Sequence, residues 1–429
     1  MSSSARRASG GRAGPVVIVG GGLAGATAAA ALREHGFDGE VHLVAAEGQP
    51  PYNRPPLSKA YLRGEARFAD QLVHPLPYYS EHDIRLSLGQ SAVAIDAARR
   101  VVELDSGATL TYGRLLIATG GRTRAPWVPG ARLEGVLGLR TLHDADRIRA
   151  AARPGSRAVV VGMGFIGSEV TASLRQLGVE VTAIDPNQTP LARALGAEVG
   201  RVLAGIHRDK GVELLLGESI GAFEGGERVE RVRTLSGRTV PCDFVVTGVG
   251  IVPNVELAAR AGAASDGGLL VDELGRTSLP DVFAAGDVAN HQHPIFGRVR
   301  VEHWNNASRQ GRAVALSMLD QGAPYDYVHS FWSDQYEHTI EYVGHAARWD
   351  RLVVRGGLES RKFLGFYLKD GLVRAAVGLD RGGDPEDPAS DGELKWVPDL
   401  IRHRVLVDLE QLADEDVPLA DLVPIRARS

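Results

Sequence analysis

Two stretches of the chain share one pattern of apolar and polar positions. Each begins with a short apolar, β-branched run, passes through a glycine-rich turn into a helical stretch and ends in a second apolar run. In the first stretch the pattern predicts a buried strand at Val16–Val19, a helix at 24–34 and a strand at 41–44. Residues 158–185 repeat it. Strands joined by crossover helices predict the α/β class with parallel sheets.

The turns of both stretches follow the spacing G-x-G-x-x-G, with Gly20, Gly22 and Gly25 in the first and Gly162, Gly164 and Gly167 in the second. The first glycine permits the tight turn, the second lets backbone approach a pyrophosphate, and the third lets helix and strand pack closely. The helix N-terminus then offers free N–H groups and the positive end of its dipole to the phosphates. One such motif is a weak signal. Two copies in their strand–helix–strand context predict two dinucleotide sites.

An acidic residue follows the second strand of each stretch. Glu47 is placed to accept ribose hydroxyls in the first, and Asp185 is suited to a ribose 2′-OH in the second. Residues 186–189 contain no arginine that could hold a 2′-phosphate. We therefore expect NADH rather than NADPH, with Arg193 as the nearest cation that could favour NADPH.

Other candidate residues lie between and after these stretches. The proline-rich segment 50–62 predicts an ordered loop leading into a short helix near Ser58. Arg54 and Lys59 in it could reach a cofactor or be solvated loop charges. Asp287 follows an apolar strand and precedes a predicted helix at about 305–319, so it could bind a ribityl hydroxyl or be a helix N-cap.

Composition excludes several classes of protein. A net charge of −5 gives no reason to expect nucleic acid, and no apolar run reaches the length of a membrane span. Cys242 is the single cysteine, which excludes an intramolecular disulfide and a C-x-x-C pair, so we expect a reducing, cytoplasmic setting. Residues 1–13 are rich in Ser, Gly and Arg and predict a disordered tail. No apolar h-region lies between Arg6-Arg7 and the first strand, so we expect no export.

Three further patterns have ordinary interpretations. His291-x-His293 has metal-like spacing, but no third ligand is evident, so we expect loop histidines and no metal site. Ser58 and Ser168 lack a hydrolase elbow. Four arginines could steer an acidic partner or simply be solvated: Arg63, Arg67, Arg309 and Arg312.

Taken together, the motifs resemble the FAD-dependent pyridine-nucleotide reductases, specifically the ferredoxin reductases of the putidaredoxin, rhodocoxin and biphenyl-dioxygenase type. The resemblance is carried by GGGLAG, PPYNRPPLSKAYL, LLIATGG, GMGFIGSE, GVGIVPN, TSLPDVFAAGDVA, VEHWNNA and FWSDQY, and it weakens after about Leu379. It implies two Rossmann-like domains of the glutathione-reductase type and a smaller α+β C-terminal domain. With the motif order, it predicts an FAD domain at 14–121 and 250–329, an NAD domain at 122–249 and a C-terminal domain at 330–429.

The resemblance also implies site residues. Those for FAD are Gly20, Gly22, Leu23, Ala24, Gly25, Ala46, Glu47, Arg54, Lys59, Ala92, Ala118, Thr119, Gly120, Arg140, Gly286, Asp287, Glu302, His303, Trp304 and Ala307. Those for NADH are Gly162, Gly164, Phe165, Ile166, Gly167, Glu169, Asp185, Gly248, Val249 and Gly250. Some relatives carry the ribose-binding acid where this chain has Ala46, one residue before Glu47.

Three residues carry the chemistry that the resemblance implies. Lys59 would lie beside flavin N5 and pair with Glu169, and Trp332 would lie near the flavin on the nicotinamide side, unless it belongs to the core of the C-terminal domain. Hydride would pass from NADH to FAD and electrons onward to a [2Fe–2S] ferredoxin that feeds a P450 or a dioxygenase, since a redox-active cysteine pair is missing. We expect a monomer or weak homodimer. An NADH oxidase or quinone reductase, a relative of apoptosis-inducing factor, and a redox-sensing interaction module remain alternatives.

Overall fold

A computed structural model describes residues 14–387 and 389–424. The tail predicted at 1–13 lies outside the described residues. The described chain forms two compact units, each assembled from three segments. The first unit contains residues 14–53, 72–121 and 253–327, and the second contains 54–71, 122–252 and 328–424.

The first unit is built on a five-stranded parallel sheet. Its strands lie in the order Val282–Ala284, Arg114–Ile117, Val16–Val19, Val41–Ala45 and Ile84–Leu88. One antiparallel sheet contains Ala92–Asp96, Val101–Leu104 and Thr109–Thr111, and another mixed sheet contains Leu269–Val271, Ala289–His293 and Gly297–Val299. The helices are Leu23–Glu34, Leu76–Glu81, Glu256–Arg260 and Trp304–Met318, with a 3₁₀ turn at Gly286–Val288.

The core of this unit lies on both faces of the parallel sheet. Val16 and Ile18 join the apolar cluster under helix Leu23–Glu34, whereas Val17 and Val19 join the cluster on the opposite face. Alternate strand residues point to opposite faces, and both faces are covered, which is why the strand is apolar throughout.

The second unit contains a second five-stranded parallel sheet. Its strands lie in the order Glu213–Leu216, Glu180–Asp185, Arg157–Val161, Phe244–Thr247 and Val136–Gly138, beside an antiparallel sheet of Ile220–Gly225, Val229–Thr234 and Thr239–Pro241. The helices are Ala60–Arg63, Leu142–Ala151, Phe165–Gln176 and Ala192–Asp209, with 3₁₀ turns at Pro55–Ser58 and Phe68–Gln71. Short strands at Gly121–Thr123 and Ile251–Pro253 lie where the chain passes from one unit to the other.

The C-terminal part of the second unit is an antiparallel sheet followed by short helices. Its strands lie in the order Ser330–Gln335, His338–Gly344, Leu372–Leu379, Lys362–Lys369 and Arg351–Gly357. A 3₁₀ turn at Glu393–Trp396 and helices Val397–Arg402, Leu409–Ala413 and Leu419–Leu422 complete it. Among the described helices, none is long and apolar enough to cross a membrane.

Candidate active site

The first glycine turn is shaped by backbone contacts at two of its three glycines. A Cβ on Gly20, which has φ +130°, would lie 2.1 Å from the carbonyl oxygen of Ala118. A Cβ on Gly25 would lie 2.1 Å from the carbonyl oxygen of Gly20. At Gly22, by contrast, a Cβ would meet no atom within 4 Å. The first and third glycines are therefore required by the fold, and the second leaves open space above the turn, as pyrophosphate binding needs.

Helix Leu23–Glu34 begins at this turn. Gly22 is its N-cap, no side chain caps its first N–H groups, and its first turn contains no acidic residue. The N-terminal N–H groups of a helix need partners, and the helix dipole favours an anionic one. The turn therefore fits the pyrophosphate of FAD.

The 3₁₀ turn Gly286–Val288 lies against the start of this helix. The Gly286 N–H donates to Gln310 Oε1 at 2.8 Å, and a Cβ on Gly286 would lie 3.0 Å from the Cβ of Ala24. Asp287, the next residue, is 9% exposed within the turn. Helix Trp304–Met318 has His303 as its N-cap, so the alternative role of Asp287 as that helix's N-cap is wrong.

The strand ends near the first turn are fixed by side-chain hydrogen bonds. Thr119 Oγ1 donates to the Asn254 carbonyl at 2.8 Å, and Asn254 Nδ2 donates to the Thr119 carbonyl at 2.9 Å. The Tyr52 hydroxyl donates to Glu47 Oε2 at 2.5 Å, which orients that carboxylate two residues beyond its strand. Ala46 beside it is exposed. These contacts do not test whether Glu47 binds a ribose, so that role stays a prediction.

The remaining residues predicted to bind FAD are divided between the two units and make different contacts. In the first unit, Trp304 Nε1 donates to Asn53 Oδ1 at 2.7 Å, and Glu302 pairs with Arg300 at 2.6 Å. Ala92 packs against the apolar cluster on the far face of the sheet, and Ala307 against the cluster under the glycine helix. In the second unit, Arg54 donates to the Arg140 carbonyl at 2.6 Å.

The second glycine turn reproduces the first. A Cβ on Gly162 would lie 2.6 Å from the Gly248 carbonyl oxygen, and one on Gly167 would lie 1.8 Å from that of Gly162. Gly164 faces open space, and helix Phe165–Gln176 has no side-chain cap and no acidic residue in its first turn. This turn therefore fits the pyrophosphate of NADH by the same physical test.

Asp185 ends the neighbouring strand and is 5% exposed. Its Oδ2 accepts the Met163 N–H at 2.6 Å, and its Oδ1 accepts the Asn187 N–H at 2.7 Å and Nδ2 at 2.8 Å. A carboxylate has about four acceptor sites, so three are used in holding the glycine turn and the strand end. A ribose hydroxyl would have only the remaining acceptor site of this carboxylate. The ribose-binding role of Asp185 therefore stays a prediction.

A buried ion pair lies on the second glycine helix. Lys59 Nζ is 2.9 Å from Glu169 Oε2, with the two side chains 12% and 3% exposed. The same carboxylate accepts the hydroxyls of Ser58 at 2.5 Å and Ser333 at 2.7 Å. Breaking such a pair leaves an uncompensated buried charge, so its hydroxyl partners matter as much as the lysine. Sequence reasoning found Lys59 and Glu169 and missed both serines, although each stands next to a predicted site residue.

Local sequence explains how Lys59 reaches that carboxylate. Pro55 and Pro56 open the 3₁₀ turn Pro55–Ser58, where a missing N–H costs nothing. Lys59 is the junction between this turn and helix Ala60–Arg63, with non-helical angles of φ −125° and ψ −119°. The kink turns the lysine out of the helical path, and its Nζ also lies 3.4 Å from the Pro55 carbonyl oxygen.

Trp332 lies in strand Ser330–Gln335 and is 37% exposed, whereas the adjacent Ser333 is fully buried. Successive strand residues point to opposite faces. The alternative assignment of Trp332 to the core of the C-terminal domain is therefore wrong, because the side chain is partly exposed to solvent.

Other chemistry that the sequence raised is limited by burial. Cys242 is 2% exposed, and burial raises the pKa of its thiol to about 12, which removes the thiolate needed for exchange. His291 and His293 are buried side chains of strand Ala289–His293, so their prediction as loop residues is wrong. The strand pairs with a neighbour on each edge, and its two histidines share the buried face. Within residues 14–387 and 389–424, no group of three or more His, Cys, Asp or Glu side chains could hold a metal ion.

Two dinucleotide-type turns in one chain, with a buried lysine–glutamate pair and no redox disulfide, define a two-nucleotide flavoprotein oxidoreductase. The family model of the pyridine nucleotide-disulphide oxidoreductases matches residues 14–311, and a reductase C-terminal model matches residues 330–423. The chain therefore belongs to the pyridine nucleotide-disulphide oxidoreductase family, in its ferredoxin reductase branch.

Curated relatives and a solved structure support this placement over nearly the whole chain. The ferredoxin reductase subunit of 5,5′-dehydrodivanillate O-demethylase from Sphingobium sp. is 40% identical, covering 93% of this chain and 96% of the relative. Rhodocoxin reductase from Rhodococcus erythropolis is 39% identical, covering 92% and 91%. The matched chain in the crystal structure of the covalent putidaredoxin reductase–putidaredoxin complex is 36% identical to this chain. The TM-score is 0.89, and the match covers 95% of this chain and 97% of the solved chain. The predicted fold class, family and use of FAD and NADH are confirmed.

Proposed function

We propose that the chain passes electrons from NADH to a [2Fe–2S] ferredoxin serving a P450 or a dioxygenase. The carrying observation is the buried Lys59–Glu169 pair on the second glycine helix, in a chain whose single cysteine is buried. The names of the similar reductases support the same acceptor class. The balanced reaction is NADH plus two oxidised ferredoxins giving NAD⁺, H⁺ and two reduced ferredoxins, because each [2Fe–2S] cluster takes one electron.

When bound, FAD supplies hydride acceptance and release of electrons one at a time. The two glycine turns would bind the pyrophosphates with helix N–H groups. Lys59 would supply a compact positive charge for the negative charge that develops on reduction, and Glu169 orients that ammonium. Trp332, which is 37% exposed, would lie near the flavin on the nicotinamide side. We assign no proton transfer to Lys59 or Glu169.

The predicted arginine surface receives little support. Arg63 pairs with Glu65 at 2.7 Å, Arg67 pairs with Asp70 at 2.9 Å, and Arg312 pairs with Glu34. Carboxylate partners reduce the net positive charge that such residues offer to an acidic protein. Solvated charges on the protein surface remain the simpler interpretation of these three residues.

A steady-state assay tests the proposed acceptor. NADH-driven cytochrome c reduction is measured with and without a bacterial [2Fe–2S] ferredoxin, at fixed ionic strength because docking of charged proteins depends on salt. We expect a large increase on adding ferredoxin. No increase with several ferredoxins, together with steady oxygen or quinone consumption, would favour the oxidase; negligible turnover with every acceptor would favour the sensing module.

Two minor assignments complete the proposal. We propose a monomer or weak homodimer, which size-exclusion chromatography at two protein concentrations checks. We also propose a cytoplasmic setting, which the single buried cysteine supports.

A further inference from the structure

A line of buried polar groups runs from Glu169 away from Lys59. The hydroxyl of Ser333 is 2.7 Å from Glu169 Oε1, and Gln335 Nε2 is 3.4 Å from Ser333 Oγ. Gln335 Oε1 is 3.1 Å from His207 Nε2, and His207 Nδ1 is 3.0 Å from the Tyr336 hydroxyl. Ser333, Gln335 and His207 are each at most 2% exposed. Burying the polar groups of Glu169, Ser333, Gln335 and His207 costs free energy unless each is hydrogen bonded to the next.

The chemistry of the groups sets the direction of the hydrogen bonds. An ionised Glu169 only accepts, so the Ser333 hydroxyl must donate to it, and the Gln335 amide donates in turn to Ser333. Gln335 Oε1 then needs a donor, which makes His207 the Nε2–H tautomer and leaves Nδ1 to accept from Tyr336. Every donor therefore points toward Glu169. Burial lowers the pKa of His207 to about 4, which agrees with a neutral imidazole.

Strand Ser330–Gln335, which contains Ser333 and Gln335, packs on the second glycine helix in one register. The rings of Phe331 and Phe165 meet edge to face with centroids 4.6 Å apart, and Ser333 meets Glu169. Two strand residues span roughly 6.6 Å and four helix residues about 6 Å, so both contacts form together. Trp332, between the two contact residues, must then point to the opposite face.

We propose that Ser333, supported by Gln335 and His207, is a positioning residue that holds the Glu169 carboxylate and fixes Trp332 relative to the second glycine helix. The inference rests on the proposed function in one respect, namely that Lys59 and Glu169 act when NADH reduces the bound FAD. Ser333 acts on Lys59 through Glu169, because its hydroxyl occupies Oε1 while the ammonium occupies Oε2.

The hydrogen-bond line can be tested on the unaltered holoenzyme without turnover. ¹⁵N NMR of protein labelled at histidine reports tautomer and charge, and His207→Gln identifies the His207 resonances. We expect the Nε2–H tautomer, still neutral at pH 5.5, and a changed Nε2 shift in Ser333→Ala. An Nδ1–H tautomer, or protonation of His207 at the same pH as the exposed histidines, would overturn the proposed line.

The positioning role is tested by anaerobic stopped-flow reduction of the FAD-loaded protein with NADH. We expect Ser333→Ala to lower the limiting rate about tenfold while the Kd for NADH changes less than about twofold, since misplacement affects the rate more than binding. Gln335→Met removes the donor behind Ser333 and the acceptor of His207 but leaves the contact of Ser333 with Glu169, so it should give a smaller decrease. Ser317→Ala is the matched control, because it removes a buried hydroxyl that bonds within its own helix.

The rates decide between positioning and mere stability. A Ser333→Ala protein that is reduced at the wild-type rate would overturn the inference, as would equal losses in Ser333→Ala and Ser317→Ala. The assay contains no ferredoxin, so its outcome does not depend on the proposed acceptor. The protein could fail to reduce ferredoxin while Ser333→Ala still slows the reduction of FAD by NADH. That result would refute the proposed acceptor and would leave the positioning role of Ser333 supported.

Discussion

The two glycine helices start from equivalent turns and differ in what they bury. The inner face of Leu23–Glu34 consists mostly of alanines. A Cβ on Gly311 would lie 2.4 Å from the Ala24 carbonyl oxygen, so helix Trp304–Met318 packs closely against it. Helix Phe165–Gln176 instead buries four polar side chains: Ser168, Glu169, Thr171 and Ser173. The turn leaves uncapped N–H groups at the helix N-terminus in both cases, and the body of the helix decides whether a charged group is added.

The comparison is sharpest at one pair of positions. Thr27 and Glu169 both stand seven residues after the first glycine of their motif. Thr27 is half-buried, whereas Glu169 is 3% exposed and bound by Lys59, Ser58 and Ser333. The two repeats therefore share the glycine turn, and only the second carries a buried charged group at this position.

The largest expected effect comes from the third glycine of the second turn. Gly167→Ala should destabilise the protein by more than about 3 kcal/mol, because its Cβ would lie 1.8 Å from the Gly162 carbonyl oxygen. Gly164→Ala should keep the wild-type Tm and lose NADH affinity, since its Cβ enters open space. Thermal unfolding and NADH titration check the pair. Equal Tm values for both variants would contradict the assigned glycine roles.

The second-largest expected effect, on the rate of reduction by NADH, distinguishes the two glycine helices. Glu169→Gln and Lys59→Ala should each slow reduction by NADH about 100-fold while FAD stays bound, because the ammonium is lost or misplaced. Thr27→Ala, at the equivalent position, should change the rate less than about threefold. Stopped-flow absorbance gives the rates and the FAD content. Loss of FAD from Lys59→Ala would instead make that lysine structural.

A smaller effect concerns the choice of nicotinamide cofactor. Asp185→Ser with Pro186→Arg should raise the NADPH/NADH ratio of kcat/KM about tenfold, because a carboxylate is removed and an exposed cation is added. Serine is chosen because its hydroxyl can still accept the Met163 N–H. An unchanged ratio would show that Asp185 only holds the glycine turn through Met163 and the strand end through Asn187.

The smallest effect is a pH dependence of stability. The pKa of His207 is lowered from 6.5 to about 4 by burial, so its stabilising contribution is complete above pH 6.5 and is lost as the pH falls toward 4. Between pH 6.5 and 5.5 the wild type should lose about 1 kcal/mol more than His207→Gln. Denaturant unfolding at the two pH values checks this. Parallel losses would place the acid sensitivity elsewhere.

The sequence predicted the elements whose signals are local. Strand Val16–Val19 was predicted with its observed bounds, and helix Leu23–Glu34 begins one residue before the predicted start. Apolar runs and glycine spacing encode both within about twenty residues. The contacts of Ser58 and Ser333 with Glu169 join residues 111 and 164 positions apart, and no local pattern records them. Lys59 was already a cofactor candidate from its loop, but Glu169 and its pairing with Lys59 were found only through the resemblance, for the same reason.

Other differences follow from tertiary structure. The segment Ala289–His293 contains no β-branched residue, and it forms a strand because it pairs with a neighbour on both edges within a sheet. The exposure of Trp332 follows from the register of its strand on helix Phe165–Gln176. Neither property can be obtained from residues that are near in the chain.

A single-turnover measurement shows most directly whether the reduced protein passes its electrons to a ferredoxin. The protein is reduced anaerobically with one equivalent of NADH, mixed with oxidised [2Fe–2S] ferredoxin and followed by the visible absorbance of the cluster; a parallel sample is mixed with oxygen. We predict rapid reduction of two ferredoxins per NADH, well ahead of the reaction with oxygen. A reduced protein that keeps its electrons in the presence of ferredoxin but passes them promptly to oxygen would contradict it.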